Sequence, residues 1–125
     1  MYRINIDVNN KIIYIEVSGS MSLQEIISFI DDICDLVNKF GQRQYSMLIA
    51  AQRLDPLSQD KLPVVQQVAE LALQWADKIA LVYGNRTITR MQLSKIVTGA
   101  RRNTHSNTPI ASFQVINKAV DFLKQ

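Results

Sequence analysis

Apolar and polar residues alternate at the start of the chain with a period of two. Residues 3–8 place isoleucine or valine at every second position, and this alternation predicts a half-buried strand. A second β-rich run covers residues 11–17, and Asn9-Asn10 stands before it. Because asparagine tolerates left-handed backbone conformations, two strands joined by such a two-residue turn indicate a β-hairpin.

The pattern then changes to a helical period. Ser22 and Glu25 stand three residues apart, as in a capping box, in which the serine accepts a free backbone N–H and the glutamate reaches back. Gly41 favours the left-handed conformation that often follows the last turn of a helix. We therefore predict a helix over residues 22–40 with an apolar stripe at helical spacing. The predicted stripe comprises Leu23, Ile26, Ile27, Ile30, Ile33, Cys34, Val37 and Phe40.

Three further strands alternate with three further helices. Nearly continuous apolar runs predict strands at residues 45–51, 79–83 and 110–116. The resulting order, β-β-α-β-α-β-α-β-α, predicts an α/β fold in which helices flank a mixed sheet. A length of 125 residues without linker or repeat suits one domain over residues 1–125.

Polar residues are expected to cap the helices that follow these strands. Ser58 or Asp60 is expected to cap the second helix, which tolerates Pro63 in its first turn. Thr89 and Gln92 have the spacing of a second capping box at the start of the third helix. Asn117 is expected to cap the closing helix.

This pattern resembles the STAS domain of the anti-sigma-factor antagonists, in particular a divergent branch of small antagonist-like bacterial proteins. The resemblance covers nearly the whole chain and depends on the hairpin ending in Val17-Ser18-Gly19, the capped helix, the strand at Met47-Leu48-Ile49 and the terminal strand and helix. It implies a STAS-like fold and a regulatory role in protein interactions.

One segment departs from the family pattern. Regulatory members carry an Asp-Ser-Ser-Gly stretch at the second helix, where a kinase phosphorylates a serine, whereas this chain has Leu57-Ser58-Gln59-Asp60. Two interpretations remain for a regulatory loop containing Asp55, Ser58 and Asp60. Either Ser58 and Asp60 compete to cap the helix, which we favour, or Ser58 accepts a phosphate that the positive end of the helix would stabilise.

The charges become informative once they are placed along the chain. The formal net charge of +3 divides into −4 over residues 1–77 and +7 over residues 78–125. No acidic residue occurs between Asp77 and Asp121. The basic side chains of central interest in this stretch are Arg86, Arg90, Lys95, Arg101 and Arg102.

These basic residues support several interpretations. Arg86 and Arg90 are four residues apart and are expected to share one exposed face, while alanine at Arg86, Arg90, Arg101 and Arg102 is expected to leave folding nearly unchanged. The surface would suit an acidic protein partner or the acidic helix of a second copy. It would also suit a small anion or an acidic lipid. Nucleic acid fits less well because no aromatic stacking set accompanies the charges. An ordinary basic surface without a ligand is the remaining alternative.

The sequence predicts no catalytic residue, metal site or cofactor. His105 is the single histidine and lies in a polar loop, and Cys34 is expected to pack in the core. Asp31, Asp32 and Asp35 are expected to form a solvated helix face rather than a metal site. No run reaches the ~20 apolar residues of a membrane helix. The alternating N-terminus is unlike a signal peptide, and the lone cysteine favours a cytoplasmic location.

We therefore expect a non-enzymatic regulatory or protein-interaction module that uses the 53–60 loop and the basic stretch. The alternative is a small-anion or lipid-binding protein with a pocket near the 52–60 and 84–90 loops.

Overall fold

Five strands and four helices follow one another in the predicted order. A computed structural model describes all 125 residues. The strands are β1 (Tyr2–Asp7), β2 (Ile12–Gly19), β3 (Ser46–Leu54), β4 (Ile79–Tyr83) and β5 (Ile110–Phe113). The helices are α1 (Leu23–Phe40), α2 (Leu62–Trp75), α3 (Thr87–Thr104) and α4 (Ile116–Lys124). None of the four helices combines the length and the apolar composition that crossing a membrane requires.

The five strands form one mixed sheet in the order β1-β2-β3-β4-β5. β1 pairs antiparallel with β2, and every later pairing is parallel. In the middle of the sheet, Ile15 is opposite Ile49, which is opposite Leu81. This arrangement confirms the predicted α/β fold with a mixed sheet.

The sheet is covered on both faces, which explains the continuous apolar runs of its central strands. On one face α1, α2 and α3 enclose the larger core, which includes Ile13, Met47 and Leu73. This layer contains an apolar cavity of about 110 Å³. On the other face α4 packs Ala119 and Leu123 against a smaller cluster.

Helix α1 buries a narrower stripe than its sequence predicts. Ile26, Phe29 and Ile33 are buried, whereas Leu23 is 42% exposed and Ile27 is 49% exposed. Cys34 is exposed as well, so the expectation that it packs in the core is wrong. The reason is geometric, because successive residues of a helix are turned by roughly 100°. Cys34 therefore points to the side of the helix while its neighbour Ile33 points inward.

The predicted ends of α1 are confirmed. The Glu25 N–H donates to the Ser22 hydroxyl at 3.1 Å, and the Ser22 N–H donates to a Glu25 carboxylate oxygen at 3.3 Å. Gly41 follows the last turn with φ of 77°. The preceding hairpin differs from prediction: its connection spans residues 8–11, and Lys11 rather than an asparagine has the left-handed conformation, with φ of 54°.

The other predicted caps are wrong. Helix α2 is preceded by Lys61 and α3 by Arg86, and neither helix start has a side-chain cap. Helix α4 starts at Ile116, before the predicted Asn117. Strand β3 continues three residues beyond its predicted end at residue 51, while β5 ends three residues before its predicted end at residue 116. Two of the side chains expected to cap these helices, Thr89 and Gln92, instead form hydrogen bonds to residues outside their own helix.

Candidate interaction surface on the third helix

The first turns of α3 are attached to the segment that joins β3 to α2, residues 55–61, which we call the β3–α2 loop. The Gln92 side chain donates to the Leu57 carbonyl and accepts from the Leu57 N–H, both at 2.8 Å. The buried Thr89 hydroxyl donates to the Leu54 carbonyl at 3.2 Å. Gln92 thus holds the loop against α3, and Thr89 holds the end of β3, instead of the two forming the predicted capping box.

The ends of β3 and β4 also meet at this place. Arg86 forms a salt bridge with Asp55, and both side chains are substantially exposed. Gly84 lies so close to β3 that a Cβ atom at this position would be 2.2 Å from the Gln52 carbonyl oxygen. The 52–60 and 84–90 segments are therefore in direct contact, and the β3–α2 loop has a defined position next to α3.

Ser58 and Asp60 lie on the exposed side of the β3–α2 loop. The Ser58 hydroxyl donates to an Asp60 carboxylate oxygen at 2.5 Å. This hydrogen bond stabilises the carboxylate and lowers the pKa of Asp60 below its usual value. Neither side chain caps α2. Both are available to a partner that contacts the loop.

Helix α3 presents a mixed apolar and basic line of residues to solvent. Ile88 is 61% exposed and Met91 is 56% exposed. They continue at helical spacing into exposed polar and basic residues. We call this line the α3 stripe, and it consists of Ile88, Met91, Lys95, Thr98 and Arg102. The exposed apolar part of the stripe is not predictable from the sequence, because an apolar residue at helical spacing is ordinarily assigned to the core.

Arg86 and Arg90 lie one helical turn apart at the start of α3, beside the α3 stripe. The Arg90 N–H donates to the Arg86 carbonyl, and both residues are exposed. The Arg90 guanidinium lies over the Tyr83 ring, with its central carbon 5.9 Å from the ring centroid. This cation–π contact restricts the Arg90 side chain. Arg86 contacts Asp55 of the β3–α2 loop and Arg90 contacts Tyr83 of β4, so the two exposed arginines have different neighbours although they lie one helical turn apart.

A shallow groove of about 500 Å³ lies between α3 and the edge strand β5. Arg90 and Lys95 supply positive charge to it, and Met91 supplies an apolar side chain. Tyr83 and Ser112 contribute from the sheet. The groove is open to solvent and adjoins the α3 stripe. The positive charge of this region is largely uncompensated, because the two salt bridges of the chain involve neither Arg90 nor Lys95 nor Arg102.

Two solved structures share this architecture over nearly the whole chain. An uncharacterized protein of the DUF3478 family with a SpoIIAA-like fold, from Shewanella loihica, has a TM-score of 0.70 at 13% identity, covering 98% of this chain and 92% of that one. An anti-sigma factor antagonist from Mycobacterium paratuberculosis has a TM-score of 0.63 at 13% identity, covering 100% of this chain and 96% of that one. The fold is STAS-like. No protein-family model and no curated protein matches the sequence.

These similarities confirm the resemblance as a resemblance of fold. One fold supports many functions, so the function of this STAS-like chain depends on the residues of its own surface. On that surface Arg86 contacts Asp55 of the β3–α2 loop, which also carries Ser58 and Asp60, whereas Arg90 and Lys95 line the groove between α3 and β5. Arg102 lies further along the exposed side of α3.

Arg101 has a different environment from the other basic residues. It is half-buried, and its guanidinium donates to the Thr108 carbonyl. The Thr108 side chain accepts from Arg43 and donates to the Leu73 carbonyl at 2.7 Å. Arg101 thus connects α3 to Thr108 in the segment before β5, and the Thr108 side chain connects that segment to Leu73 of α2. Because of these contacts, alanine at Arg101 is expected to lower stability, unlike alanine at the exposed Arg86, Arg90 and Arg102.

Proposed function

We propose that this chain is a non-enzymatic regulatory module that binds an acidic protein partner through the α3 stripe and the β3–α2 loop. The observation that carries the proposal is the exposure of Ile88 and Met91, each more than half exposed, beside Arg90, Lys95 and Arg102, which have no carboxylate partner. Apolar side chains of this size provide affinity when a partner covers them. The surrounding charges select the partner and raise the rate of association.

Several properties favour a protein over other ligands. Methionine and arginine are enriched in protein interfaces, and this surface contains both. Nucleic-acid binding proteins commonly stack bases on exposed aromatic rings, whereas Tyr83 is covered by Arg90. A non-enzymatic role is favoured because the single histidine, His105, is an exposed residue at the end of α3 with no activated nucleophile beside it. The free cysteine suits the reducing cytoplasm, where we place the chain.

The β3–α2 loop is the proposed regulatory element. Gln92 holds it against α3, so a change in the loop would alter the partner surface directly. A phosphate group on Ser58 would carry a charge of about −2 and would lie next to the Asp60 carboxylate. Repulsion would separate these groups and displace the exposed side of the loop. The similarity of fold to an anti-sigma factor antagonist supports a regulatory role for the chain.

A second candidate function is the binding of a small anion or of a lipid headgroup. The groove between α3 and β5 favours it, because its volume of about 500 Å³ falls within the usual range for ligand pockets of roughly 300–1,000 Å³. This groove includes Thr87 and Arg90 of the 84–90 segment but no residue of the 52–60 loop, although the sequence predicts a pocket near both. Arg90 and Lys95 would contact the anionic group. The apolar cavity of about 110 Å³ in the core lies below that range. It is therefore too small for the apolar part of a lipid.

Affinity capture from a cell lysate tests the protein-binding proposal. The first variant combines Ile88→Ser with Met91→Ser, and the second combines Arg86→Ala, Arg90→Ala and Lys95→Ala. Both are expected to reduce the captured amount of the partner by about tenfold or more, which corresponds to a loss of ~1.4 kcal/mol of binding free energy. Quantitative mass spectrometry of the captured proteins measures the change.

The matched control combines Lys118→Ala with Lys124→Ala, which removes exposed basic residues of α4 on the opposite face of the sheet. This control is expected to capture the same proteins as the unmodified chain, at the same salt concentration. Capture that is equal for all four proteins would exclude the α3 stripe as the interface. Loss in the triple variant alone, together with retention of an anionic small molecule by the unmodified chain, would favour the second candidate.

A further inference from the structure

Helix α1 carries an exposed line of residues whose charge is negative, opposite to that of the α3 stripe. Leu23 and Ile27 are 42% and 49% exposed, and Asp31 and Asp35 continue the line at intervals of four residues. We call these four residues the α1 ridge. Asp32 is not part of it, because its carboxylate accepts a hydrogen bond of 2.6 Å from the Tyr2 hydroxyl. Neither Asp31 nor Asp35 takes part in a salt bridge.

The α1 ridge and the α3 stripe have the same order of chemical groups. Each begins with two exposed apolar side chains at its N-terminal end and continues with charged ones, acidic in α1 and basic in α3. At ~1.5 Å per residue, Asp31 follows Leu23 by about 12 Å, and Lys95 follows Ile88 by about 10 Å. Asp35 follows by about 18 Å and Arg102 by about 21 Å, a difference that a long arginine side chain can span.

We propose that the α1 ridge of a second copy of this chain docks on the α3 stripe, with the two helices parallel. This orientation places Ile27 near Met91, Asp31 near Lys95 and Asp35 near Arg102. The antiparallel orientation would place the carboxylates over Ile88 and Met91, where they would lose water without gaining a cation. The inference rests on the proposed function, because it names a partner for the same surface.

This contact joins different surfaces of the two copies. Such a heterologous contact leaves one free α1 ridge and one free α3 stripe at the ends of each dimer. Self-association therefore continues to larger species as the concentration rises, or closes into a ring. It also depends on salt, because the exposed charges on both surfaces are screened at high ionic strength.

Sedimentation velocity at several protein concentrations tests the inference with four purified proteins. They are the unmodified chain, an α1 variant with Asp31→Lys and Asp35→Lys, an α3 variant with Lys95→Glu and Arg102→Glu, and a control with Lys118→Glu and Lys124→Glu. The unmodified chain and the control are expected to associate in low salt. Each of the two charge-reversed variants alone is expected to have a dissociation constant raised by about tenfold or more.

The decisive sample is an equimolar mixture of the α1 and α3 variants. In this mixture the α1 variant contributes a basic α1 ridge, which meets the acidic α3 stripe of the α3 variant. The unmodified acidic α1 ridge of the α3 variant also meets the unmodified basic α3 stripe of the α1 variant. Association is expected to return to the level of the unmodified chain. Because all four substituted positions are exposed, the urea midpoints of both variants should match that of the parent, which excludes misfolding.

Three results would overturn the inference: a monomeric unmodified chain at every concentration, unchanged association of both reversed variants, or a mixture that stays dissociated. The proposed function is tested separately by lysate capture with the α1 variant. If that variant retains a partner whose capture requires the α3 stripe, while self-association is absent, the inference fails and the proposed function stands. If neither self-association nor capture depends on α3, both fail.

Discussion

Replacing Ile33 by alanine is expected to lower the free energy of unfolding by about 2–5 kcal/mol, as for other large-to-small substitutions in a core. Ile33 is 1% exposed and lies in the larger core. It also lines the apolar cavity of about 110 Å³. Truncation would enlarge this cavity and remove contacts between α1 and the sheet. Urea denaturation measures the effect.

Ile27→Ala is the matched control in the same helix. Ile27 is 49% exposed, so its truncation is expected to change the free energy of unfolding by no more than about 0.5 kcal/mol. Equal losses for the two variants would mean that α1 faces the sheet differently. The α1 ridge would then be part of the core, and it would not be available to a partner.

Arg101→Met is expected to lower the free energy of unfolding by about 1.5 kcal/mol, as for the loss of a hydrogen bond from a charged group. The substitution removes the bond from the guanidinium to the carbonyl of the buried Thr108. The Nε–H of Arg101 is buried without a partner. Its removal offsets part of the loss and keeps the expected effect at the low end of the range.

Arg102→Met provides the comparison one residue later. Arg102 is exposed, so this substitution is expected to leave the urea midpoint nearly unchanged and to affect binding through the α3 stripe instead. The pair thus separates an arginine that supports the fold from one that belongs to the proposed surface. If Arg101→Met unfolds at the same urea concentration as the parent, the Thr108 contacts contribute nothing measurable to stability.

Much of the architecture follows from local patterns. The period of two in β1, the capping box at Ser22 and Glu25, and the apolar runs of β3 and β4 each specify one element without reference to the others. Their order then predicts the mixed sheet. The sequence does not predict which residues of an apolar helix lie inward, since this depends on the neighbouring elements. Cys34 and Ile27 are therefore exposed although they match the helical period.

The candidate surface is predictable from the sequence only in part. The absence of acidic residues between Asp77 and Asp121 is by itself enough to indicate a basic region. The same count does not distinguish Arg101, which donates to the buried Thr108, from its exposed neighbour Arg102. Thr89 and Gln92 have the spacing of a capping box, yet they bind Leu54 and Leu57, each 35 residues away in the chain. Such long-range partners leave no local signal.

Site-specific photo-crosslinking tests the central claim, that the exposed side of α3 is a protein interface, most directly. A photoreactive amino acid replaces Met91, and in a control chain it replaces Lys118 on the opposite face of the sheet. We predict that irradiation in a lysate joins the chain labelled at position 91 to a specific protein, or to a second copy of itself, and that the chain labelled at position 118 gives no such product. Equal products from both positions, or none from position 91, would contradict the claim.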